Sequence, residues 1–359
     1  METRNKNYCI ILAGGVGRRL WPASQKELPK QFIDFFGTGR TLLQQTFDRF
    51  ARFIPTNHIY ISTYEGYVPL VREQLPEVPE ANILPEPVQL NTAPAAIWGT
   101  WHTVLADADA NVVVTPADQL IQHDDRFEAQ IQRGLSYVDT HADFLAIGVK
   151  PTQPNTAYGY IQMGDTIEGE DKLHKVQSFS EKPELDYAKM FMQSGEFLWN
   201  TGIFMWKCQT LGHHLCDMAH RPDRPVEEVA KQMVTIAEEV DYVRSCIPEG
   251  LPRSIDLLVL EHCNNVAVQE CDFGWADVGC WTELHEVSHT DVDGNAVSGG
   301  AHVMLQGTQN CMVRLPHHMK AIIAGLDGYV VAQQGDILMI CPNNDPDATR
   351  RLINEGLFF

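Results

Sequence analysis

The sequence predicts an α/β protein in which a mostly parallel β-sheet has helices on both sides and is followed by a small C-terminal β domain. Three observations predict it. Short apolar, β-branched runs recur between segments of helical periodicity; the first run ends directly in a glycine loop; and beyond about residue 287 the helical pattern gives way to short β-rich pieces punctuated by glycine. At 359 residues the chain exceeds the size at which single cores stop growing, which suggests a large domain over 1–287 and a small one over 288–359.

In chain order, Tyr8–Leu12 suits a strand buried on both faces, Thr41–Phe50 has the apolar spacing of a helix, and His58–Ser62 reads as the next strand. Ala81–Pro85 offers a third short strand, Ala93–Ala106 a long helix with Trp98 and Trp101, and Asn111–Thr115 a compact apolar run leading into Asp118. Phe144–Val149 is a further buried strand. This alternation gives a Rossmann-like sheet whose ligands sit at the carboxyl ends of the strands, where the glycine loop and Asp118 both fall. From Tyr158 the pattern loosens into hairpin-like segments, Pro183–Ser194 and Arg224–Val243 read as helices, and a short helix follows over Trp281–Glu286. In the tail, Cys311–Leu315 and Ile337–Ile340 are short strands between glycines, the spacing of a small β domain or a short left-handed β-helix, and a last helix starts from Pro346.

Composition narrows the function. A formal charge of −20 argues against a nucleic-acid backbone as the partner, which calls for a basic face. No run approaches the apolar length of a membrane span, and the first residues lack the apolar core of a signal peptide, so a soluble, cytoplasmic protein is expected. The nine cysteines contain no C-x-x-C pair and read as reduced core residues; His213 and His214, adjacent on a helix, point in different directions and suit a surface better than a metal.

The chemistry concentrates after the first strand, in Leu12-Ala13-Gly14-Gly15-Val16-Gly17-Arg18-Arg19-Leu20-Trp21-Pro22-Ala23-Ser24 and on to Pro29-Lys30-Gln31-Phe32. Closely spaced glycines let backbone N–H groups approach an anion, and Arg18, Arg19, Lys26 and Lys30 follow at once. Since charges beyond about 8 Å are largely screened at physiological salt, this local cation cluster governs its own loop despite the acidic whole. A P-loop would need Lys after Gly17, and a dinucleotide fingerprint a glycine at Leu20, so neither fits.

G-G-x-G-x-R-L-W-P-x-S followed by P-K-Q-F resembles the signature of the nucleotidyltransferases that make nucleotide sugars, and its W-P and Q-F forms are most similar to the mannose-1-phosphate guanylyltransferase (GDP-mannose pyrophosphorylase) family. Six motifs in family order extend the resemblance over about residues 8 to 286. It implies transfer of GMP from GTP to mannose 1-phosphate with release of pyrophosphate and with Mg²⁺ as the metal. By resemblance Arg19 and Lys30 bind the triphosphate; Leu12, Ala13, Gly14, Gly15 and Gly17 contact the nucleotide through backbone; and Asn91, Thr92 and Ala93 face the base. Asp118 and Asp277 are the implied metal carboxylates; in isolation Asp118 would read as a helix N-cap and Asp277 as a turn residue, but the family-like segments around them favour the metal. Glu181 and Lys182 of an E-K-P motif, with Gly159 and Asn200, are implied to bind the sugar phosphate. Leu90, Gln25 and Gln119 stand where the family often has Arg, Arg and His, which leaves base preference open. Some bacterial relatives continue into a fused isomerase domain; with the sequence ending at Phe359, isomerase activity is not expected. A related enzyme with another hexose or nucleotide, or a silent nucleotide-sugar sensor of the same fold, are the alternatives, and a homodimer is the expected assembly.

Overall fold

A computed structural model describes residues 5–87, 89, 91–218, 238–239, 241, 254–345 and 348–355. The chain clusters into two compact units, Met1–Gly14 with Phe47–Pro116 and Ile121–Trp275, and Gly15–Thr46 with Ala117–Leu120 and Ala276–Phe359. Each unit thus gathers segments that are separate along the chain.

The strands up to Asp277 are β1 (Asn7–Leu12), β2 (Ile59–Tyr64), β3 (Ile83–Glu86), β4 (Asn111–Pro116), β5 (Gln119–Ile121), β6 (Phe144–Val149), β7 (Tyr160–Thr166), β8 (Leu173–Ser180), β9 (Phe197–Lys207), β10 (Val266–Cys271) and β11 (Trp275–Asp277). Nine of them form one sheet in the order β3-β2-β1-β4-β9-β6-β10-β8-β7, while β5 pairs with β11. The expected β1–β4 neighbourhood is present and parallel, with Ile10 beside Val114. The expectation of a mostly parallel sheet is corrected: β9 runs antiparallel between β4 and β6, and β7 and β8 are an antiparallel pair. Periodicity reports which faces are buried and is blind to strand direction, and β9 is buried on both faces like β4 and β6 beside it.

Among the described residues the longer helices of this part are α1 (Leu42–Ala51), α2 (Val68–Gln74), α3 (Thr92–Ala106), α4 (Asp124–Thr140), α5 (Leu185–Ser194) and α6 (Cys208–Met218). In α3, Trp98 and Trp101 join Ile10, Val112, Val114, Ala146 and Trp206 in one buried cluster. Gly134 of α4 lies against Leu145 and Met205, where a Cβ would come within 3.0 and 2.7 Å of their side chains. Successive strand residues point to opposite faces, so Leu145 and Ala146 place α4 and α3 on opposite sides of the sheet, as expected. The helix expected over 224–243 falls outside the described residues except at 238, 239 and 241; there Glu239 is buried, accepting hydrogen bonds from Trp98 Nε1 at 2.8 Å and His102 Nδ1 at 3.1 Å. No described helix is long and apolar enough to cross a membrane.

The second unit is built on the tail strands β12 (Ala296–Ser298), β13 (His302–Gln306), β14 (Met312–Arg314), β15 (Lys320–Ala324), β16 (Tyr329–Gln334) and β17 (Ile337–Pro342). β12, β14 and β16 stack parallel, β17 closes that sheet antiparallel, and β13 stacks parallel on β15. Val313, Leu315 and Val331 pack inward with Val303, Leu305 and Ile323. The other face, through Ala296, Met312, Val330 and Met339, shares a buried cluster with Leu20, Phe35, Leu42, Val278 and Trp281. The tail thus buries its apolar surface against the segment that follows the glycine loop.

Gly99 lets α3 close on β1: a Cβ there would lie 2.7 Å from Ile10 Cδ1. Gly99→Ala should therefore destabilise the fold by about 1–3 kcal/mol by overpacking, even though alanine favours helix. Ile10→Val, which removes Cδ1, should recover part of that loss in the double variant, as read by chemical denaturation.

Candidate active site

Lys30, Asp118 and Asp277 come from widely separated stretches and meet in the second unit. The Lys30 side chain is buried and reaches Asp118 Oδ2 at 2.8 Å and Asp277 Oδ1 at 4.0 Å, while its Nζ donates to the Val278 carbonyl at 3.1 Å. Burial pushes the Lys30 pKa down, but Asp118 and Asp277 more than offset it, and the net shift is upward. Burial pushes the Asp277 carboxyl up, reinforced by Asp118 and opposed by Lys30 and Arg19, and leaves it above the usual carboxylate range.

The loop around this cluster is shaped by contact. Gly17 has φ 67°, and a Cβ on it would lie 2.8 Å from Lys30 Cγ and 2.9 Å from Ser24 Oγ, so both its conformation and its lack of a side chain are required. Ser24 Oγ donates to the Val16 carbonyl at 2.8 Å and Gln31 Nε2 to the Gly15 carbonyl at 2.9 Å, leaving Gly15 itself exposed. Arg18–Leu20 forms a single 3₁₀ turn that buries Leu20 and exposes Arg18, with Arg19 half-buried. Glu283 also belongs to this cluster, and no sequence motif pointed to it: it is 6% exposed and accepts the Gly279 N–H at 2.9 Å.

The residues expected on the nucleotide side in the first unit lie after β1 and at the start of α3. Ala13 donates to Ser62 O at 2.7 Å and accepts from Thr63 Oγ1 at 2.9 Å, which fixes the chain as it leaves β1 after Leu12. Beyond it Gly14 leaves room beside Glu86, whose Oε1 would be 3.5 Å from a Cβ there. Glu86 is buried and accepts from Ser62 Oγ at 2.8 Å; burial raises its carboxyl pKa against that hydrogen bond. Asn91 caps α3 at φ 75° with its side chain on the Thr92 N–H, Thr92 Oγ1 accepts the Ile255 N–H at 3.1 Å, and Ala93 is fully buried. Leu90 lies outside the described residues.

The expected sugar-phosphate residues are brought together, also in the first unit. Asn200 N donates to the Gly159 carbonyl at 2.8 Å, and a Cβ on Gly159 would lie 2.9 Å from Glu181 Oε2 and 3.4 Å from Asn200 Cβ. Lys182, at φ 45°, pairs with Glu181 on an exposed surface. Asp256, which the sequence reading passed over, stands 3.5 Å from Asn200 Nδ2. Tyr158, Trp199 and Trp275 pack edge to face beside them. His213 is exposed, as expected, while His214 is half-buried with Cys263 Sγ at 3.4 Å from its Nδ1.

Three carboxylates, Asp118, Asp277 and Glu283, face two cations, Lys30 and Arg19. The surplus negative charge fits a hard divalent cation. No group of three or more His, Cys, Asp or Glu able to hold a metal occurs among the described residues, so the fit is to an ion that takes two carboxylates and completes its shell with phosphate and water.

Residues 8–294 match the family model described as Nucleotidyl transferase, and the chain belongs to that family. Within it, the chain is 32% identical to a Vibrio cholerae protein provisionally assigned as a mannose-1-phosphate guanylyltransferase, over 96% of this chain and 73% of that protein. It is also 32% identical to the Escherichia coli mannose-1-phosphate guanylyltransferase, over 92% of this chain and 70% of that one. A solved structure from Thermus thermophilus, described as a mannose-1-phosphate geranyltransferase, superposes with a TM-score of 0.83 at 28% identity, covering 97% of this chain and 98% of the other.

A carboxyl with a folded pKa above its unfolded value destabilises the fold at every pH where it is ionised, and contributes nothing below the unfolded range. Without nucleotide or metal, Asp277→Asn should therefore melt at or above the wild-type temperature at neutral pH, with the gap closing as pH falls. A lower melting point at neutral pH would mean that pairing with Lys30 outweighs the burial cost.

Proposed function

We propose that this chain transfers GMP from GTP to α-D-mannose 1-phosphate, giving GDP-mannose and pyrophosphate. The observation that carries the reading is the buried Lys30 between Asp118 and Asp277, in a chain whose relatives are named for this reaction. An oxygen of the sugar phosphate attacks the α-phosphorus of GTP, and the bond to the bridging oxygen of pyrophosphate breaks. The attacking phosphate is already ionised, so no general base is called for, and catalysis rests on positioning and charge neutralisation. Arg19 and Lys30 draw charge from the triphosphate and the departing pyrophosphate. Asp118 and Asp277 hold Mg²⁺, which when bound neutralises phosphate oxygens and keeps them oriented. Leu12 to Gly15, Gly17 and Asn91 to Ala93 cradle the nucleotide. Gly159, Glu181, Lys182 and Asn200 take the sugar phosphate, the carboxylate and amide bonding hydroxyls and the ammonium the phosphate.

In this reading residues 1–287 are the catalytic domain and 288–359 a β domain whose parallel rungs form a short left-handed β-helix. The free thiols Cys9, Cys208, Cys263, Cys271, Cys280, Cys311 and Cys341 support a reducing, cytoplasmic setting. A homodimer belongs to the reading as well: Met304 and Ile322 are register partners, 61% and 75% exposed, and form an apolar pair on the outer face of β13 and β15.

Pyrophosphate release measured across four nucleoside triphosphates and several sugar 1-phosphates should be fastest with GTP and mannose 1-phosphate and should need Mg²⁺; preference for another pair overturns the assignment. Glu181→Gln should raise the KM for mannose 1-phosphate about tenfold, the scale of a lost hydrogen bond to a charged group, with equilibrium binding of GTP unchanged. Equal weakening of GTP would put Glu181 in the wrong pocket. Light scattering at micromolar concentration should return twice the chain mass, and a monomeric mass removes the dimer.

A further inference from the structure

Glu283 is the third residue of the short helix Trp281–Val287, which follows the segment bearing Asp277. A carboxylate there ordinarily helps a helix start by accepting the N–H of the capping residue, here Cys280. Glu283 instead accepts the N–H of Gly279, one residue earlier, at 2.9 Å. Gly279 is where three charged side chains converge: a Cβ on it would lie 2.6 Å from Arg19 Nη2, 2.7 Å from Glu283 Oε2 and 2.9 Å from Asp277 Oδ2. A backbone donor thus fixes the carboxylate of Glu283 beside Gly279, on which the Arg19 guanidinium and the Asp277 carboxylate also converge. Electrostatics agree: burial raises the Glu283 carboxyl, Asp277 raises it further, and Arg19 opposes both.

We infer that Glu283 is a positioning residue whose charge draws the Arg19 guanidinium toward Gly279, so that its N–H donors are held facing the nucleotide phosphates. A guanidinium presents its donors in a rigid planar fork, and fixing one edge orients the rest. Two carboxylates converge on Arg19, and Asp277 is the one the proposed reaction needs for the metal. Glu283 takes the guanidinium and leaves Asp277 to the ion. Gly279 is required by the same geometry, since any side chain there would push the three charged groups apart.

This inference rests on the reading of Arg19 as a triphosphate ligand, and the test separates the two. Glu283→Gln keeps the size of the side chain and an oxygen for the Gly279 N–H but removes the charge that holds Arg19. The variant, Arg19→Ala and the double variant are compared in the full chain by equilibrium titration with GTP and Mg²⁺, and then by turnover with mannose 1-phosphate. Glu283→Gln is expected to weaken GTP binding about tenfold, the lower end for losing a residue that orients a ligand group, with an unchanged KM for mannose 1-phosphate and a thermal midpoint at or above that of the wild type. In the Arg19→Ala background the same change should have no further effect. An equal loss in both backgrounds overturns the inference, as does a fall in thermal midpoint that accounts for the weakened binding. If Arg19→Ala alone leaves GTP binding intact, the triphosphate reading of Arg19 fails and the inference with it. If GTP binds as expected but mannose 1-phosphate is not the acceptor, only the proposed reaction fails, because the titration contains no sugar.

Discussion

One buried ammonium organises the second unit. Lys30 is 8% exposed and sits between Asp118 and Asp277, so three segments separated by long stretches of chain share a single counter-charge. Two carboxylates brought this close would repel, and each would bear its own desolvation cost, unless a cation lay between them. Breaking such a pair is far more costly than exposing it at a surface, so the cation has to be held in place. The fold does this through the backbone: Lys30 donates to the Val278 carbonyl next to Asp277, and its stem runs against Gly17. Gly17 is therefore required by the lysine at least as much as by an anion, since its φ of 67° and missing Cβ make room for Lys30 Cγ.

That packing also accounts for the interleaved units. The turn after the glycine loop buries Leu20, Phe35 and Leu42 in the same cluster as Met312, Val330 and Trp281. A segment that must hold a charged side chain within tenths of an ångström of its partners needs a rigid backing. The tail strands supply it, and Arg314 reinforces it by donating to the Asp34 carbonyl at 3.2 Å and lying over the Phe35 ring.

How much of this could be read from the sequence depended on whether each signal was local. Phe144–Val149 was legible to the residue because a compact apolar run with turn signals on both sides has no other reading. The direction of β9 was not, since the same buried pattern suits either orientation. Lys30, Asp118 and Asp277 stood out through the motifs around them, and the structure places them together. Glu283 was invisible because a glutamate in the first turn of a helix is ordinary; only the convergence on Gly279 distinguishes it. Asp256 was missed for a related reason: its approach to Asn200, like the hydrogen bond from the neighbouring Ile255 N–H to Thr92 Oγ1, joins residues far apart in the chain.

The two sets of candidate ligand residues differ in how they are held. Around Lys30 the charges are buried and paired, so the arrangement exists before any substrate arrives and little reorganisation is left for binding to drive. Glu181 and Lys182 are exposed and paired with each other, an interaction of a kind that contributes little to stability. Such a pair can be exchanged: in the proposed reaction the ammonium leaves its neighbour for a phosphate and the carboxylate takes a hydroxyl, each trading one hydrogen bond for another. Trades of that sort net only about 0.5–1.5 kcal/mol apiece. Selection among sugar phosphates must then come from fixed geometry, and Asn200 is the fixed part, its N–H on Gly159, its Oδ1 on the Gly202 N–H at 3.0 Å and its Nδ2 toward Asp256. In the proposed reaction a hexose that cannot meet that frame forfeits its own hydrogen bonds, because the polar groups of Asn200 already have protein partners and do not turn to follow it.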